Sequence, residues 1–422
     1  MMDKLVVEGG RPLKGSVKIS GAKNAVLPMM ACTFLAEGRY NLSNVPMLRD
    51  VKTMARLLSN MGADVELTDH HVSIKTNGDT RLEAPYELVK TMRASIYVLG
   101  PVLGRHGYAK VSLPGGCAWG PRPVNLHIEG LKKMGAEITI EAGYIIAKAK
   151  RLKGAHLSFD VPSVGATGNL LMAAVLAKGT TVLENAAKEP EITATAEFLV
   201  AMGAQIEGIG TDHLEIEGVD ALHPADAAVI ADRIEAGTFM AGAHMTGGDV
   251  RLENVVPQHV AALTTKLIDA GAKVEEGDDW IRVHSKGKVL PVDMTTAVYP
   301  GFPTDMQAQW MALMSVAGGS TRITDNIFID RFTHVAELKR LGANITLDHN
   351  VAIIKGVSQL SGAPVMSTDL RASASLILAG LVAKGQTDVS RVYHIDRGYE
   401  RIEHKLKALG AKIWRDQEAL MT

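Results

Sequence analysis

The sequence predicts an α/β protein of two domains, each built from three similar units in which strands surround buried helices. Three observations predict it: a short signal that recurs six times, a constant order of helix and strand patterns around that signal, and a length of 422 residues. A chain of this length is too long for one ordinary core, and six units of roughly 70 residues divide naturally into three and three.

The recurring signal is an apolar residue followed by Gly-Ala, and its glycines lie 68 to 73 residues apart. Self-similarity at a nearly fixed spacing is the mark of a repeated structural unit. Glycine adopts the left-handed conformation that ends many helices, so each copy predicts a helix end. The copies are Met61-Gly62-Ala63, Met134-Gly135-Ala136, Met202-Gly203-Ala204, Ala270-Gly271-Ala272, Leu341-Gly342-Ala343 and Leu409-Gly410-Ala411.

Each unit begins with an apolar helix, for example 166–177 or 372–383, and continues with a strand led by glycine, such as 179–185 or 248–254. An amphipathic helix then ends at the Gly-Ala signal, and a strand pair such as 63–74 completes the unit. In the first unit, apolar residues at helical spacing share one face of that second helix. They are Met47, Val51, Met54, Leu58 and Met61.

The first helix of each unit is apolar around most of its circumference, as in 376–382, whereas the second keeps a polar face. A helix without a polar face packs on all sides, so the strands must wrap around the first helices. We expect the seam between the two domains near Ala231. The leading segment, Leu5 to Ser20, could complete either domain.

Composition limits the classes of function. The chain is 46% hydrophobic and 22% charged with a net charge of −1, which is typical of a soluble globular protein and argues against general attraction to nucleic acid or anionic lipid. Its two cysteines, Cys32 and Cys117, form no disulfide framework. The first residues show no signal peptide, and the longest apolar run, 374–383, is too short to span a bilayer. We therefore expect a cytoplasmic protein with no nucleic-acid partner and no membrane insertion.

The segment Leu113 to Pro123 is a loop rich in glycine and proline that carries Cys117 and Arg122. A cation near a thiol lowers the thiol pKa and raises its reactivity. The alternative is that Cys117 is inert, since a free cysteine mostly behaves as a small buried hydrophobe. Both interpretations fit the local residues.

Six local motifs, together with the repeat, resemble the enolpyruvyl transferase family, and in particular the branch that acts on a UDP-sugar. The resemblance implies two inside-out α/β barrel domains of three units each, with buried helices surrounded by sheets. It assigns residues 22–230, with the Cys117 loop, to the first domain and residues 1–21 and 231–422 to the second, with the active site in the cleft between them. The motifs are 20–25, 115–123, 162–167, 302–307, 368–373 and 394–400.

The implied reaction transfers the enolpyruvyl group of phosphoenolpyruvate to the 3′-hydroxyl of UDP-N-acetylglucosamine and releases phosphate, by addition and then elimination. It is the first committed step of peptidoglycan synthesis and needs no cofactor and no metal. The resemblance makes Cys117 the proton donor and the thiol that can bond covalently to phosphoenolpyruvate and to the epoxide antibiotic fosfomycin, and it makes Asp305 the general base. From its neighbours alone, Asp305 belongs to a helix start with Thr304 as N-cap. Both readings of Asp305 stand.

Phosphoenolpyruvate is a small, highly charged anion, so its site requires several converging cations. The resemblance assigns this task to Lys23, Arg122 and Arg397. From local sequence alone, Lys23 is an ordinary surface lysine. Arg397 could equally belong to a charged helix start, with Asp396 as the cap and Glu400 as a partner.

The resemblance implies further binding residues. Asn24, Arg93, Asp369 and Arg371 are expected as polar groups of the cleft. Two residues depart from the family pattern. Asn125 stands where many relatives have Asp, which changes the donors and acceptors offered to uracil, and Val161 stands where some relatives have a basic residue that would contact the diphosphate. The segments expected to contact UDP-N-acetylglucosamine are Arg122, Pro123, Val124, Asn125 and Leu126 at the uridine, Ser163 and Val164 at the diphosphate, and Ile327 near the sugar.

Two alternatives remain open. A sister transferase of the same fold acts on shikimate 3-phosphate but lacks the Gly-Gly-Cys-Ala-Trp-Gly loop of residues 115–120. A non-catalytic paralogue would bind the nucleotide sugar without turnover, although intact Lys23, Cys117, Asp305 and Arg397 argue against it. Phosphate release with each acceptor distinguishes all three.

Overall fold

The computed structural model describes residues 3–114 and 124–417. The chain divides into two compact units. We call residues 21–230 the central unit, and residues 1–20 together with 231–422 the split unit. The chain passes from one unit to the other at Ser20–Gly21 and again at Ile230–Ala231.

The described residues form short strands of two to six residues. In chain order they are β1 Asp3–Glu8, β2 Lys14–Lys18, β3 Gly38–Ser43, β4 Asp64–Thr68, β5 His71–Thr76, β6 Glu83–Ala84, β7 Tyr108–Ser112, β8 Glu137–Glu141, β9 Tyr144–Lys148, β10 His156–Ser158, β11 Thr180–Glu184, β12 Gln205–Glu207, β13 His213–Glu217, β14 Ala227–Ala228, β15 Asp249–Glu253, β16 Lys273–Glu276, β17 Trp280–His284, β18 Met294–Thr295, β19 Ser320–Thr324, β20 Asn344–Asp348, β21 Val351–Lys355, β22 Pro364–Met366, β23 Gln386–Ser390 and β24 Lys412–Gln417.

The helices alternate with these strands. In chain order the α-helices are α1 Lys23–Cys32, α2 Arg49–Asn60, α3 Tyr86–Val89, α4 Leu99–His106, α5 Asn125–Lys133, α6 Val164–Ala174, α7 Pro190–Ala201, α8 Arg233–Met245, α9 Ala261–Asp269, α10 Gln307–Met314, α11 Val335–Arg340, α12 Leu370–Val382 and α13 Ile402–Ala408. Short 3₁₀ helices occupy Thr33–Leu35, Arg93–Val98, Pro257–Val260, Thr304–Met306 and Val392–Arg397.

The central unit and the split unit each contain three four-stranded sheets of one pattern. In every sheet the strand pair at one edge is parallel and the other pairs are antiparallel. The orders in the central unit are β14-β3-β5-β4, β6-β7-β9-β8 and β10-β11-β13-β12. Those in the split unit are β16-β17-β15-β2, β18-β19-β21-β20 and β22-β23-β1-β24. The N-terminal strands complete two sheets of the split unit, because β2 runs parallel to β15 and β1 lies between β23 and β24.

The apolar helices lie inside these sheets, as the fold class predicts. In the split unit, α8, α10 and α12 contact one another, and each also packs against a sheet. Every residue of α10 is buried, Trp310 included. By contrast, α2 buries Val51, Met54 and Leu58 while Lys52 and Arg56 on its other face are exposed. The mixed α/β architecture with enclosed helices is therefore confirmed.

The six repeated glycines end helices as predicted, with φ between 90° and 103°. The alanine after each glycine donates its amide hydrogen to the carbonyl of the leucine five residues before it, at 2.9 to 3.1 Å. This is the 6→1 hydrogen bond of the Schellman motif. It pairs a carbonyl that would otherwise have no hydrogen-bond partner at the end of the helix. The leucines are Leu58, Leu131, Leu199, Leu267, Leu338 and Leu406.

Helix boundaries differ slightly from those predicted. The expected helices 166–177 and 372–383 are observed at Val164–Ala174 and Leu370–Val382. Both begin earlier because a polar side chain caps them: Ser163 accepts a hydrogen bond from the amide of Ala166, and Asp369 accepts from two amides. These caps place Ser163 and Asp369 at the starts of buried helices.

Candidate active site

Asp305 lies between two arginines in the split unit. Nη1 of Arg331 is 2.7 Å from Oδ1 of Asp305, and Nη2 of Arg371 is 2.9 Å from Oδ2. The Asp305 side chain is 28% exposed, whereas those of Arg331 and Arg371 are 9% and 3% exposed. We call these three residues the Asp305 cluster. Its formal charge is +1, so it presents a partly accessible carboxylate held by two buried cations.

Thr304 does not cap the helix that follows, and the N-cap predicted for it is wrong. Asp305 belongs to the 3₁₀ turn Thr304–Met306 that leads into α10, and Pro303 occupies the capping position. The hydroxyl of Thr304 instead donates to Oδ2 of the buried Asp325 at 2.8 Å. A long-range acceptor has therefore taken the hydroxyl that local sequence assigned to the backbone.

Asp325 connects the cluster to Ile327. Its Oδ1 accepts hydrogen bonds from the amides of Ile327 and Phe328, both at 2.9 Å, just after β19 ends. Because its Oδ2 accepts from Thr304, one buried carboxylate holds both the loop with Ile327 and the turn with Asp305. The structure thus brings these two predicted site residues into one region.

The charges around Asp305 determine its chemistry. Burial alone would raise the pKa of Asp305, but the guanidinium charges of Arg371 and Arg331 outweigh burial and hold that pKa well below its usual range. Asp305 is therefore ionised at neutral pH and can accept a hydrogen bond from a hydroxyl. It is a weak proton acceptor while both arginines bind it, because a low pKa disfavours protonation.

Asp369 is the N-cap of α12. Its Oδ1 accepts from the amides of Arg371 at 2.7 Å and Ala372 at 3.1 Å. This arrangement fixes the first turn of α12 and thereby the backbone from which the Arg371 side chain reaches Asp305. The contacts of Asp369 in the structure are those of a helix cap.

Arg397 ends the 3₁₀ helix Val392–Arg397 and is partly buried. The alternative in which Asp396 caps a helix is wrong, because its carboxylate binds Arg415 of β24 at 2.6 and 3.0 Å. Arg415 also binds Glu403 of α13 at 3.0 Å. The segment carrying Arg397 is thus tied to a helix and a strand of the same unit.

In the central unit, Lys23 and Asn24 are the first residues of α1. Nζ of Lys23 lies 3.1 Å from Oδ2 of Asp50, in the first turn of α2, and the two side chains are only 12% and 4% exposed. Lys23 is therefore a largely buried, paired cation, and its interpretation as an ordinary surface lysine is wrong. Asn24 is exposed.

The segments expected to bind the nucleotide meet at His127. Val124 precedes α5, Asn125 and Leu126 begin it, and the buried His127 follows. Nδ1 of His127 lies 3.0 Å from Nδ2 of Asn169 in α6, so this ring nitrogen is the acceptor.

At Gly165, beside Ser163 and Val164, a Cβ atom would lie 3.3 Å from Nε2 of His127. Burial and the charge of Arg93 lower the pKa of His127 to about 4, so the ring is neutral at pH 7. The structure therefore brings Arg93 and both predicted segments together. Val161 is exposed.

The predicted residues Cys117, Arg122 and Pro123 lie outside the described residues, as does all of 115–123. Within the described ranges, no group of three or more His, Cys, Asp or Glu side chains is arranged to hold a metal ion. In the same ranges, no helix combines the length and apolar character that a membrane crossing requires.

Sequence reasoning missed Arg331, Asp325 and Asp50. A signal for Arg331 was present, because Ile329-Asp330-Arg331 repeats as Ile395-Asp396-Arg397 at a separation of 66 residues, close to the spacing of the units. This internal repeat would have marked Arg331 as the counterpart of Arg397. No comparable local signal marks Asp325 or Asp50, whose roles depend on residues in other elements.

Comparison with known proteins shows which family of proteins has this fold. A family model described as EPSP synthase (3-phosphoshikimate 1-carboxyvinyltransferase) matches residues 7–406. The chain belongs to this family, and the resemblance to enolpyruvyl transferases is confirmed. A solved structure of the enolpyruvyl transferase NikO from Streptomyces tendae shares the fold with a TM-score of 0.88 and 25% identity, covering 99% of both chains. EPSP synthase from Acinetobacter baumannii shares the fold at a TM-score of 0.74 and 22% identity, over 99% of this chain and all of the other.

More similar relatives are curated under one name, UDP-N-acetylglucosamine 1-carboxyvinyltransferase. The protein from Geotalea daltonii is 56% identical over 99% of this chain and 100% of its own length. The protein from Chloroherpeton thalassium is 58% identical over 98% of this chain and 97% of its own.

Proposed function

We propose that this protein transfers the enolpyruvyl group of phosphoenolpyruvate to the 3′-hydroxyl of UDP-N-acetylglucosamine, releases phosphate, and so serves peptidoglycan synthesis. One observation carries the proposal: curated relatives at 55% to 58% identity, over almost the whole chain, share the name of that activity. The buried cations of the Asp305 cluster and the largely buried Lys23 support it, since phosphoenolpyruvate requires positive charge.

The proposed chemistry has two steps. The sugar oxygen forms a bond to C2 of phosphoenolpyruvate while C3 takes a proton from Cys117. The C2–O bond to phosphate then breaks in the tetrahedral adduct, phosphate leaves with the bonding electrons, and the Cys117 thiolate takes a proton back from C3 as the enol ether forms. Lys23, Arg122 and Arg397 hold the phosphate and carboxylate of phosphoenolpyruvate in this scheme. Cations placed in advance around the adduct lower the energy of its developing charge.

Asp305 accepts the proton of the sugar 3′-hydroxyl in this scheme. As the structure stands, the carboxylate orients that hydroxyl as a hydrogen-bond acceptor, because two arginines disfavour its protonation. To act as the base it must lose part of one arginine contact. An anionic substrate provides a competing partner for Arg331 or Arg371, so binding of phosphoenolpyruvate would raise the basicity of Asp305.

UDP-N-acetylglucosamine binding is assigned to the uridine segment 122–126, to Ser163 and Val164 at the diphosphate, and to Ile327 of the split unit near the sugar. The contact of His127 with the start of α6 supports a common site for Val124, Asn125, Leu126, Ser163 and Val164. Further polar groups of the proposed site are Arg93, Asp369 and Arg371, and Asn24 as a hydrogen-bond partner of the adduct. The two-domain division and the expectation of one shared cleft belong to this proposal.

A phosphate-release assay tests the function. We expect release with phosphoenolpyruvate plus UDP-N-acetylglucosamine, and its loss in Cys117→Ser. Cys32→Ala, at the second cysteine, is the matched control because Cys32 is buried in the core of the central unit. Absence of release by the wild-type protein with this pair, under conditions in which the protein is folded, contradicts the proposal.

The same assay decides between the alternatives. The matching family is named for 3-phosphoshikimate 1-carboxyvinyltransferase, so shikimate 3-phosphate is the second acceptor to test. Phosphate release with shikimate 3-phosphate but not with UDP-N-acetylglucosamine would assign the activity of the sister transferase. Binding of the UDP-sugar without release with either acceptor would indicate a non-catalytic paralogue.

The proposal extends to inhibition and location. Fosfomycin is expected to bond to Cys117 and abolish release, and Cys117→Asp is expected to resist it. A cytoplasmic location without a nucleic-acid partner follows from the composition and is tested by fractionation of the native cell.

A further inference from the structure

Tyr399 is a buried tyrosine that the proposed mechanism does not use. It is 1% exposed and lies two residues after the end of the 3₁₀ helix that carries Arg397. The centre of its ring lies 5.5 Å from the guanidinium carbon of Arg371, within the range of a cation–π interaction. Tyr399 therefore lies next to Arg371 in space and next to the Arg397 segment in the chain.

The hydroxyl of Tyr399 is held by two inner helices. Oγ1 of Thr238 in α8 donates to the carbonyl of Ile234 at 2.8 Å, so its single hydrogen is occupied. Thr238 must then accept from Oη of Tyr399, 2.8 Å away. Nε2 of Gln309 in α10 donates to the same Oη at 3.1 Å and to Thr238 at 3.2 Å. The orientation of the phenol is thus fixed by α8 and α10 together.

Arg371 depends on this arrangement. Its Nε and Nη2 donate to Oδ2 of Asp305 at 3.2 and 2.9 Å. Nη1 is buried and has no hydrogen-bond partner among the described residues. The orientation of the Arg371 guanidinium group therefore depends on Asp305 and on the Tyr399 ring. If that ring could rotate, Asp305 would be the main group that holds the guanidinium in place.

Tyr399 also stabilises the segment that carries Arg397. The amides of Gly398 and Tyr399 both donate to the carbonyl of Ile395, at 3.0 and 2.9 Å. A Cβ at Gly398 would come within 2.6 Å of the Leu370 side chain, so this backbone lies directly against the start of α12. The position of Arg397 is therefore coupled to the helix that carries Arg371.

We propose that Tyr399, held by Thr238 and Gln309, is a positioning residue that sets Arg371 against Asp305 and steadies the Arg397 segment during enolpyruvyl transfer. The inference rests on the proposed function and deepens it. Tyr399 touches no substrate in this role; it acts through the two arginines.

The role has a signature in the pH profile. Arg371 faces Asp305, Tyr399 and Asp232, the cap of α8, and Asp305 faces Arg331 as well. The charge of Arg371 keeps the pKa of Asp305 low, so a displaced Arg371 lets that pKa rise. The acid limb of kcat/KM, where Asp305 takes up a proton, then moves to higher pH.

The test compares Tyr399→Phe with Tyr40→Phe. Tyr40 is an equally buried tyrosine of the central unit whose hydroxyl donates to the carbonyl of Ala36 at 2.9 Å, away from the site. Both changes delete one buried hydroxyl and should lower the melting temperature similarly. We expect Tyr399→Phe alone to lose about tenfold in kcat/KM, with the acid limb raised, because the ring loses the hydrogen bonds to Thr238 and Gln309 that orient it against Arg371. Thr238→Val, which leaves the Tyr399 side chain intact but removes one of its two hydrogen-bond partners, should reproduce the shift in weaker form.

The positioning role would be overturned if Tyr399→Phe and Thr238→Val had the same kcat/KM and the same acid limb as Tyr40→Phe. Failure of the wild-type protein to release phosphate would instead overturn the proposed function, and the positioning role with it. If Tyr399→Phe does not fold, Thr238→Val alone decides by the same two readouts.

Discussion

Nη2 of Arg371 lies 2.9 Å from Oδ2 of Asp305, although the two residues are 66 positions apart in the chain. That separation is close to the spacing of the repeated units. Asp305 stands just before α10 and Arg371 in the first turn of α12, and these two inner helices pack together. Equivalent helix starts of successive units therefore meet, and side chains at those starts form one charged cluster.

Asp305→Asn tests the cluster as an element of both stability and activity. It leaves two buried guanidinium groups without their counter-charge, so we expect a loss of about 3 kcal/mol in unfolding free energy. Phosphate release should fall at least about 100-fold, because the proposed acceptor of the hydroxyl proton is gone. Denaturant unfolding and the release assay measure the two effects.

The matched control is Asp249→Asn. Asp249 also binds an arginine, Arg282, through two hydrogen bonds of 2.7 Å, but both side chains are exposed enough for solvent to screen the pair. We expect a change below about 1 kcal/mol and normal activity. Equal losses of stability in the two variants would contradict the cluster's special role.

Asp50→Asn tests the support of Lys23. The buried Asp50 carboxylate holds Nζ of Lys23 at 3.1 Å, so its neutralisation loosens the lysine without removing it. We expect KM for phosphoenolpyruvate to rise about tenfold, as befits one charge-assisted hydrogen bond, while kcat changes less. Steady-state kinetics with varied phosphoenolpyruvate provide the measurement, and an unchanged KM would rule out this support.

His334 should make stability depend on pH. Burial, together with the charge of Arg331, lowers the pKa of His334 to about 3. The unfolded chain, with an ordinary histidine pKa of about 6.5, binds more protons between these values, so stability falls as pH drops from about 6.5 toward 3.

Replacement by His334→Gln should flatten that slope by about 1.4 kcal/mol per pH unit in unfolding free energy. His349→Gln is the control, because His349 is almost fully exposed. Denaturant unfolding at pH 4.5, 5.5 and 7.5 measures the slopes. Identical slopes in the wild-type protein and His334→Gln would refute a neutral buried His334.

The two cysteines should differ in reactivity. Cys32 is completely buried, and burial strongly raises the pKa of its thiol, so it resists alkylation in the native protein. We expect a thiol reagent to add at most once to the native chain and twice to the denatured chain. Mass spectrometry counts the additions; a native product of Cys117→Ala that still carries one label would disprove the protection of Cys32.

Gly410→Ala tests the repeated helix end. Gly410 has φ of 94°, and a Cβ there would meet no atom within 4 Å, so any penalty comes from the backbone conformation alone. We expect a loss of about 1 to 2 kcal/mol. Gly78→Ala, at a glycine without positive φ, is the control and should be nearly neutral. Thermal unfolding measures both, and equal melting temperatures would argue against the strained conformation.

Local rules let the sequence predict much of this protein on its own. The recurring signal of an apolar residue followed by Gly-Ala predicts six helix ends, because left-handed backbone at that point favours glycine, and all six glycines have positive φ. Helices such as α10 and α12 are buried because they lack a polar face to offer to water. The motifs that resemble enolpyruvyl transferases indicated the family and named Asp305 and Arg371 before any contact was known.

Only the tertiary structure decided how these residues act on one another. The bond from Thr304 to Asp325, the pairing of Arg331 with Asp305 and the support of Tyr399 by Thr238 join residues 21, 26 and 161 positions apart. No local pattern specifies such contacts, because they arise from tertiary packing between elements that are distant in the chain. The low pKa of Asp305 follows from the same cause, since electrostatic interaction depends on distance through space and on burial rather than on position in the chain.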